Sequence, residues 1–253
     1  MAETVQPDQR VRVGKVPFEV STMEQAVNRV ITAAKNSEPV AVRLSNVYCV
    51  ALAAKDPEYA ALLSGQGINF PDGAPVVWFM RRAVRGAAAK RVRGPSLFRE
   101  LLNPQTSDNA KHFFLGTNAD TLTKLTTRLR RIHPEISISG TYSPPFSDLD
   151  DTYLRNCADA VLATDAQIVW VALGTPKQDF LADSLSGIVG RPCVGVGAAF
   201  DFAAGTVNEA PRWVQSAGLE WLYRLATEPR RLWRRYLIGN VQFIITALRD
   251  PSN

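Results

Sequence analysis

The sequence predicts an α/β protein in which helices flank a doubly wound, mostly parallel sheet, followed by a helical appendage at the C-terminal end. Short apolar runs typical of buried strands alternate along the chain with helical segments, as in doubly wound sheets. Small and polar residues follow several of these runs, and turns at the carboxyl ends of parallel strands are where such sheets bind ligands. From residue 210 the sequence becomes aromatic and rich in arginine. We therefore expect an α/β domain over residues 1–209 and a basic, aromatic-rich helical appendage over residues 210–253.

The composition excludes several classes of protein. The chain has 253 residues, of which 46% are hydrophobic, so it can form a large core. Its three cysteines and two histidines are scattered, so we predict a reducing compartment, no disulfide framework and no metal site. The first ten residues are polar and no apolar run reaches about 18 residues, so we expect neither a signal peptide nor a membrane-spanning helix. A net charge of +5 with clustered arginines favours anionic partners.

In the first half of the chain, predicted strands end in polar residues. A strand at 39–44 is followed by Ser45 and Asn46, and a short strand that begins near residue 67 enters a turn containing Asp72 and Gly73. By itself, Asp72 is typical of a helix cap or an Asp-Gly turn. The other elements predicted here, in order, are a hairpin or edge strands at 11–20 and helices at 22–36, 47–55, 57–63 and 74–84.

A run of positive charge follows the helix predicted at 74–84. Seven basic residues lie between residues 81 and 99, and no acidic residue lies among them. They are Arg81, Arg82, Arg85, Lys90, Arg91, Arg93 and Arg99. Such a run is ordinarily a solvated basic face. However, a run with only positive charge that follows a lone carboxylate, Asp72, suits a phosphorylated ligand.

The strongest local indication of a site lies in the second half, after a buried strand predicted at 168–173. Gly174 allows the backbone to turn, and Pro176 fits the first turn of a helix that carries Lys177 and Gln178. Unpaired N–H groups at that helix start suit phosphate. The other elements predicted in this half are strands at 111–116, 136–140 and 192–197 and helices at 118–132 and 148–163. Three aspartates at 148–151 are interpreted as a capping cluster rather than a metal site.

The turn after the last predicted strand bears a weak resemblance to the dinucleotide-binding fingerprint. Gly195 and Gly197 match its first two glycines, but Phe200 stands at its last position. Glu220 lies at a suitable distance for a ribose ligand but in helix-like sequence. We therefore do not favour a nicotinamide-dependent enzyme, and we interpret Asp201 as a residue that holds this loop or contacts a ligand.

The C-terminal segment interleaves aromatic side chains with arginines. This pattern is found in nucleic-acid-binding proteins, at membrane interfaces and in covers over active sites. Because no nucleic-acid-binding motif accompanies it, we predict no nucleic acid partner. A helix starting at Pro229 places its arginines on one basic face that suits an anionic membrane surface or a diphosphate. The aromatic surface also leaves open that the chain forms a homo-oligomer.

Several motifs occur in an order that resembles the WecG/TagA/CpsF family of bacterial glycosyltransferases, from about residue 11 to residue 240. In order, they are Asn46 after a strand, Phe70-Pro71-Asp72-Gly73, Arg91-Val92-Arg93-Gly94, Ala172-Leu173-Gly174-Thr175-Pro176-Lys177-Gln178, Gly195-Val196-Gly197 with Phe200-Asp201, Gly205-Thr206-Val207, Ala210-Pro211-Arg212-Trp213, Gly218-Leu219-Glu220-Trp221-Leu222-Tyr223-Arg224 and Glu228-Pro229-Arg230-Arg231. Each motif is weak alone, whereas the ordered set is specific.

The resemblance implies a Rossmann-like catalytic domain that transfers a sugar from a UDP-sugar to a lipid-diphosphate-linked saccharide in cell-surface polysaccharide biosynthesis. It also implies inversion at the anomeric carbon, no cofactor or required metal, and a location in the cytoplasm at the inner face of the bacterial cell membrane. The donor sugar would resemble N-acetylmannosamine, a hexose or a uronic acid. Family members often have Thr-Leu-Asn where this chain has Leu44-Ser45-Asn46, so the hydroxyl has moved by one position and sugar selectivity is expected to differ.

The resemblance also assigns site residues. Asp72 matches the family's proposed catalytic base. Asn46, Arg91 and Gln178 match polar positions of the substrate pocket. The tail arginines that resemble those proposed to close over the diphosphate are Arg224, Arg230, Arg231 and Arg234. The remaining substrate-binding candidates are Ser45, Gly73, Gly174, Lys177 and Asp201.

Two other functions remain open on the sequence. The first is a nucleotide-sugar epimerase or dehydrogenase, which needs a better dinucleotide fingerprint near the N-terminus than this chain has. The second is a non-catalytic nucleotide-sugar binding module that is held at a membrane surface by the basic tail.

Overall fold

The computed structural model describes residues 9–84, 89–227, 229–230, 243–244 and 246–247. The strands are β1 (Arg10–Val13), β2 (Val16–Glu19), β3 (Ala41–Ser45), β4 (Ile68–Pro71), β5 (His112–Gly116), β6 (Ile138–Tyr142), β7 (Ile168–Ala172) and β8 (Cys193–Gly195). The helices are α1 (Met23–Lys35), α2 (Val47–Lys55), α3 (Pro57–Ser64), α4 (Ala74–Ala83), α5 (Gly94–Leu102), α6 (Pro104–Ser107), α7 (Ala119–Ile132), α8 (Asp151–Leu162), α9 (Lys177–Val189), α10 (Ala199–Ala204), α11 (Arg212–Ser216) and α12 (Glu220–Thr227).

Six of these strands form a parallel sheet in the order β4-β3-β8-β7-β5-β6, and helices lie on both of its faces. The α/β fold with a mostly parallel sheet is therefore confirmed. β1 and β2 form a separate antiparallel hairpin. Because all six strands run in one direction, the turns that follow them meet at one edge of the sheet. The predicted site residues after β3, β4, β7 and β8 therefore belong to the same edge.

Local sequence accounts for where the helices begin. Thr22 caps α1 by accepting the N–H of Gln25, and the Gln25 side chain accepts the N–H of Thr22, so the two residues form a capping box. Asp56 accepts bonds from two backbone N–H groups at the start of α3, where Pro57 occupies the first turn. Asp150 caps α8 in the same way, in agreement with a capping role for that acidic cluster.

The core lies on both faces of the sheet. On one face, α1, α5, α7 and α10 cover the sheet around an aromatic cluster of Phe98, Phe114, Trp170 and Phe200. On the other face, α8 and α9 cover its second half. His112 belongs to this core, because its Nδ1 accepts a hydrogen bond of 3.1 Å from the Trp170 indole and burial lowers its pKa to about 4. It is therefore a neutral structural histidine.

The described part of the C-terminal segment returns to the beginning of the chain. Phe243 is 2% exposed and packs edge-on against Phe79 of α4, with ring centroids 5.2 Å apart. Thr246 lies against the turn between β1 and β2. The division of the chain near residue 210 stays a prediction. Among the described residues, no helix has the length and apolar character needed to span a membrane.

Candidate active site

Asp72 lies in the turn between β4 and α4, at the carboxyl edge of the sheet. Its backbone N–H donates to the carbonyl of Ser45 at 2.9 Å, and the N–H of Gly94 donates to its carboxylate. Gly73 has a φ of 135°, a conformation that side-chain-bearing residues rarely adopt, and this lets the chain pass directly from β4 into α4. Gly73 rather than Asp72 is the N-cap of α4, and no side chain caps that helix. The Asp72 carboxylate is therefore not used as a helix cap.

The surroundings of Asp72 favour its protonated form. Burial raises the pKa of this half-buried carboxyl to about 6, and the negative charge of Glu220 adds to the rise. Arg93, Arg91 and the N–H of Gly94 act in the opposite direction. A carboxyl group with a pKa near 6 is ionised at neutral pH and is still basic enough to accept a proton in a reaction.

An ionic cluster of three arginines and two glutamates lies beside Asp72. Its members are Arg91, Arg93, Arg99, Glu209 and Glu220. Glu220 binds Arg91 at 3.1 Å and Arg93 at 2.7 Å. Glu209 binds Arg93 at 2.5 Å and Arg99 at 2.8 Å. The cluster therefore joins the basic run to the start of the C-terminal segment.

Ser45 and Asn46 bring the end of β3 against the Asp72 turn. The Asn46 side chain accepts a hydrogen bond of 2.9 Å from the N–H of Tyr48 and so caps α2. Its Cβ lies 3.9 Å from the position that a Cβ on Gly73 would occupy. Ser45 is buried, and within the described part of the chain its hydroxyl makes no hydrogen bond. The structure therefore places Ser45, Asn46 and Gly73 next to Asp72.

The turn after β7 differs from its prediction. The Gln178 side chain accepts the N–H of Gly174 at 3.2 Å, the N–H of Gln178 bonds to the Gly174 carbonyl, and the N–H of Asp179 bonds to the Pro176 carbonyl. Pro176 is the residue before α9 rather than part of its first turn. The N–H groups of Gly174, Gln178 and Asp179 are therefore bonded within the turn and are not available to a phosphate, contrary to what the sequence predicted for them.

Lys177 is engaged with the segment before α8. Its ammonium group donates to the Ser147 carbonyl and lies 4.0 Å from the ring centroid of Tyr153. Both partners bind a cation well, so the lysine stabilises the packing of α9 against that segment.

Gln178 joins the turn after β7 to the turn after β8. A Cβ on Gly195 would lie 3.3 Å from its amide nitrogen, and a Cβ on Gly197 would lie 3.5 Å from its amide oxygen. The side chain is 5% exposed. The backbone carbonyl of Asp201, in α10, accepts hydrogen bonds from the N–H and the hydroxyl of Thr206 and so holds the turn at Gly205.

Of the four tail arginines predicted to bind the diphosphate, Arg224 and Arg230 lie in the part of the chain that the structure describes. The Arg224 guanidinium lies 5.9 Å from the ring centroid of Phe202. Arg230 is exposed. Arg231 and Arg234 lie outside the described residues.

Four members of the ionic cluster were missed as site residues from the sequence: Arg93, Arg99, Glu209 and Glu220. Arg93 was available in the basic run and in the Arg-Val-Arg-Gly motif. Glu209 carried no local signal. Glu220 stood out only within the Gly218–Arg224 motif and as a poorly placed ribose ligand, and its pairing with the arginines was not visible because both glutamates reach the site from more than 100 positions along the chain. Among the described residues, no group of three or more His, Cys, Asp or Glu side chains is arranged to hold a metal ion.

Comparison with known proteins identifies similar chains. A family model described as "Glycosyl transferase WecG/TagA/CpsF family" matches residues 11–253. A protein of Bacillus spizizenii, described as N-acetylglucosaminyldiphosphoundecaprenol N-acetyl-beta-D-mannosaminyltransferase, is 33% identical over 186 residues, which cover 73% of this chain and 70% of the relative. A protein of Bacillus subtilis with the same description is 30% identical over 205 residues, which cover 79% of this chain and 76% of the relative.

Proposed function

Since this chain belongs to the WecG/TagA/CpsF family of glycosyltransferases, we propose that it transfers a sugar from a UDP-sugar to a lipid-diphosphate-linked saccharide in cell-surface polysaccharide biosynthesis. The names of both relatives support N-acetylmannosamine as the sugar and an N-acetylglucosaminyl-diphosphate lipid as the acceptor. The observation that carries the proposal is the placement of Asp72, a carboxylate with a raised pKa beside a cluster of arginines at the carboxyl edge of a parallel sheet.

Asp72 acts as the general base. It accepts the proton of the acceptor hydroxyl while the hydroxyl oxygen attacks the anomeric carbon, and the bond from that carbon to the UDP oxygen breaks. Displacement in line from an α-linked donor inverts the anomeric centre and gives a β-linkage. The β-linked product in the relatives' names agrees with this outcome. Asn46 and Gln178 orient sugar hydroxyls, and Ser45 offers a buried hydroxyl beside Asp72.

Arginine side chains stabilise the leaving UDP. Charge develops on the diphosphate as the bond to the sugar breaks, and guanidinium groups bind phosphate oxygens through paired N–H bonds. Arg91 acts electrostatically on the Asp72 carboxylate and is more accessible than Arg93, and Arg224 and Arg230 bring further positive charge from the tail. The reaction proceeds without a metal ion under this proposal. The basic tail holds the protein at the cytoplasmic, anionic face of the cell membrane, where the lipid-linked acceptor is present.

The test measures UDP release from a panel of UDP-sugars with a short-chain lipid-diphosphate N-acetylglucosamine acceptor, with and without EDTA. Release from one donor, equal in both conditions, is the expected result. Activity that EDTA abolishes contradicts the metal-free mechanism. Silence across the panel, together with no nucleotide binding by calorimetry, contradicts the transferase function and favours a binding module at the membrane.

A further inference from the structure

The two arginines nearest Asp72 have different sets of partners. Arg93 is bound by both Glu209 and Glu220, and its side chain is 5% exposed. Arg91 is bound by Glu220 at 3.1 Å, and its side chain is 23% exposed. If Glu220 moves away, Arg93 keeps Glu209, whereas Arg91 loses the carboxylate that binds it.

A phosphate group fits the place that Glu220 occupies on Arg91. Carboxylate and phosphate oxygens both accept paired N–H bonds from a guanidinium, so one can replace the other without rearranging the arginine. Arg91 is the accessible arginine of the pair, and its charge already acts on the Asp72 carboxylate. A diphosphate bound to Arg91 would therefore lie close to the proposed base.

We propose that Glu220 is a positioning residue that holds Arg91 beside Asp72 when no nucleotide is bound, and that the diphosphate of the donor replaces it there while Glu209 keeps Arg93 in place. The proposal rests on the proposed function, since the diphosphate is that of a nucleotide-sugar. The exchange also involves the C-terminal segment. Glu220 is the first residue of α12, which carries Arg224 one turn later, and Gly218 just before it packs against Ala74 at the start of α4. Entry of the donor is thereby linked to the position of α12.

The test compares the binding of UDP and of inorganic pyrophosphate to the full-length wild type and to Glu220→Gln, by calorimetry at low salt. The anion no longer competes with an ion pair in the variant, so both ligands are expected to bind about two- to five-fold more tightly. Glu38→Gln is the matched control. Glu38 pairs with Arg29, so this variant also removes one negative charge from an Arg–Glu pair. Glu38 precedes the amino end of β3 and therefore lies at the opposite edge of the sheet from Asp72. Glu38→Gln is expected to leave both affinities unchanged.

An Arg91→Ala background identifies the residue through which Glu220 acts. In the Arg91→Ala protein, adding Glu220→Gln is expected to give no gain in affinity. If Glu220→Gln acted only by loosening α12, the gain in affinity would persist without Arg91. Unchanged or weaker anion binding by Glu220→Gln overturns the proposal, and so does equal tightening by Glu38→Gln. Tighter pyrophosphate binding by Glu220→Gln, with no UDP binding by any variant, supports the exchange and overturns the nucleotide donor instead. If neither UDP nor pyrophosphate binds to the wild type or to any variant, both proposals are wrong.

Discussion

The surroundings of Asp72 disfavour the charged form of its carboxyl group. Asp72 follows β4 directly, and its side chain does not cap α4. Asp72→Asn keeps the shape and the bond from the Gly94 N–H but removes the basic oxygen. We expect turnover to fall by roughly 10²- to 10⁴-fold, as for loss of a general base, while UDP affinity changes by less than about two-fold. Steady-state UDP release and calorimetry measure the two quantities. Near-normal turnover would show that another group accepts the proton.

The raised pKa of Asp72 predicts an acid limb in the pH profile. A base works only when ionised, so kcat/KM is expected to rise with pH through about 6 and then level off, with about a tenth of the plateau left at pH 5. Glu220 raises this pKa, and Arg91 and Arg93 lower it. Glu220→Gln is therefore expected to move the limb to lower pH. A limb that stays in place in this variant would show that Asp72 is not the group that titrates.

At the scale of elements, a buried tyrosine of α3, Tyr59, links that helix to the first turn of α9, next to Gln178. The Tyr59 hydroxyl donates to the Asp179 carboxylate at 2.7 Å, and both residues are buried. Burial also raises the pKa of Tyr59, so it remains a neutral donor. Tyr59→Phe withdraws that bond from a buried carboxylate, so we expect a loss of about 1–3 kcal/mol in the free energy of unfolding, measured with urea.

Tyr153→Phe is the matched control for Tyr59→Phe. Tyr153 is also buried, but its hydroxyl makes no hydrogen bond within the described part of the chain, and the Lys177 ammonium over its ring can lie equally over phenylalanine. Its replacement is expected to change stability by no more than about 0.5 kcal/mol. Equal losses in the two variants would argue that ring packing, not the bond to Asp179, accounts for the effect.

The sequence predicts elements better than their arrangement. Apolar runs gave the strands of the sheet, and caps such as Thr22 and Asp56 gave helix starts, because both depend on neighbours in the chain. α5 was missed because the basic run that ends at Arg99 drew attention to charge, although Leu97, Phe98 and Leu101 form a buried stripe. β6 lies two residues later than predicted, and a bulge interrupts its pairing with β5.

The candidate site divides in the same way. Asp72 and Asn46 could be predicted because they follow strands directly, and turns after parallel strands meet at one edge. The pairing of Arg91 with Glu220 could not, because it joins residues 129 positions apart and depends on where α12 packs. The turn at Gly174 was misjudged because the sequence does not show that the Gln178 side chain folds back onto it.

At the scale of the whole molecule, the described residues near the C-terminus, Phe243 and Thr246, contact α4 and the N-terminal hairpin. Phe243 is buried there, whereas its neighbour Ile244 is 51% exposed. Phe243→Ala is expected to lower the free energy of unfolding by about 3–5 kcal/mol, because it leaves a cavity beside Phe79. Ile244→Ala, the matched control, is expected to change it by about 0.5 kcal/mol or less. Chemical denaturation of the full chain measures both. Small effects of both replacements would show that this segment does not dock in solution.

The position of β8 bears on how the protein is made. Within the part of the chain that the structure describes, β3 and β4 form one half of the sheet, β5, β6 and β7 form the other, and β8 joins them by pairing with β3 and β7. It is also the last of these strands to leave the ribosome. Until β8 is made, β3 and β7 are edge strands of two separate half-sheets. Their backbone N–H and C=O groups on that side are unpaired, and such edges pair readily with other chains. We expect chains that terminate before Cys193 to aggregate, and complete synthesis to depend on chaperones that shield β3 and β7.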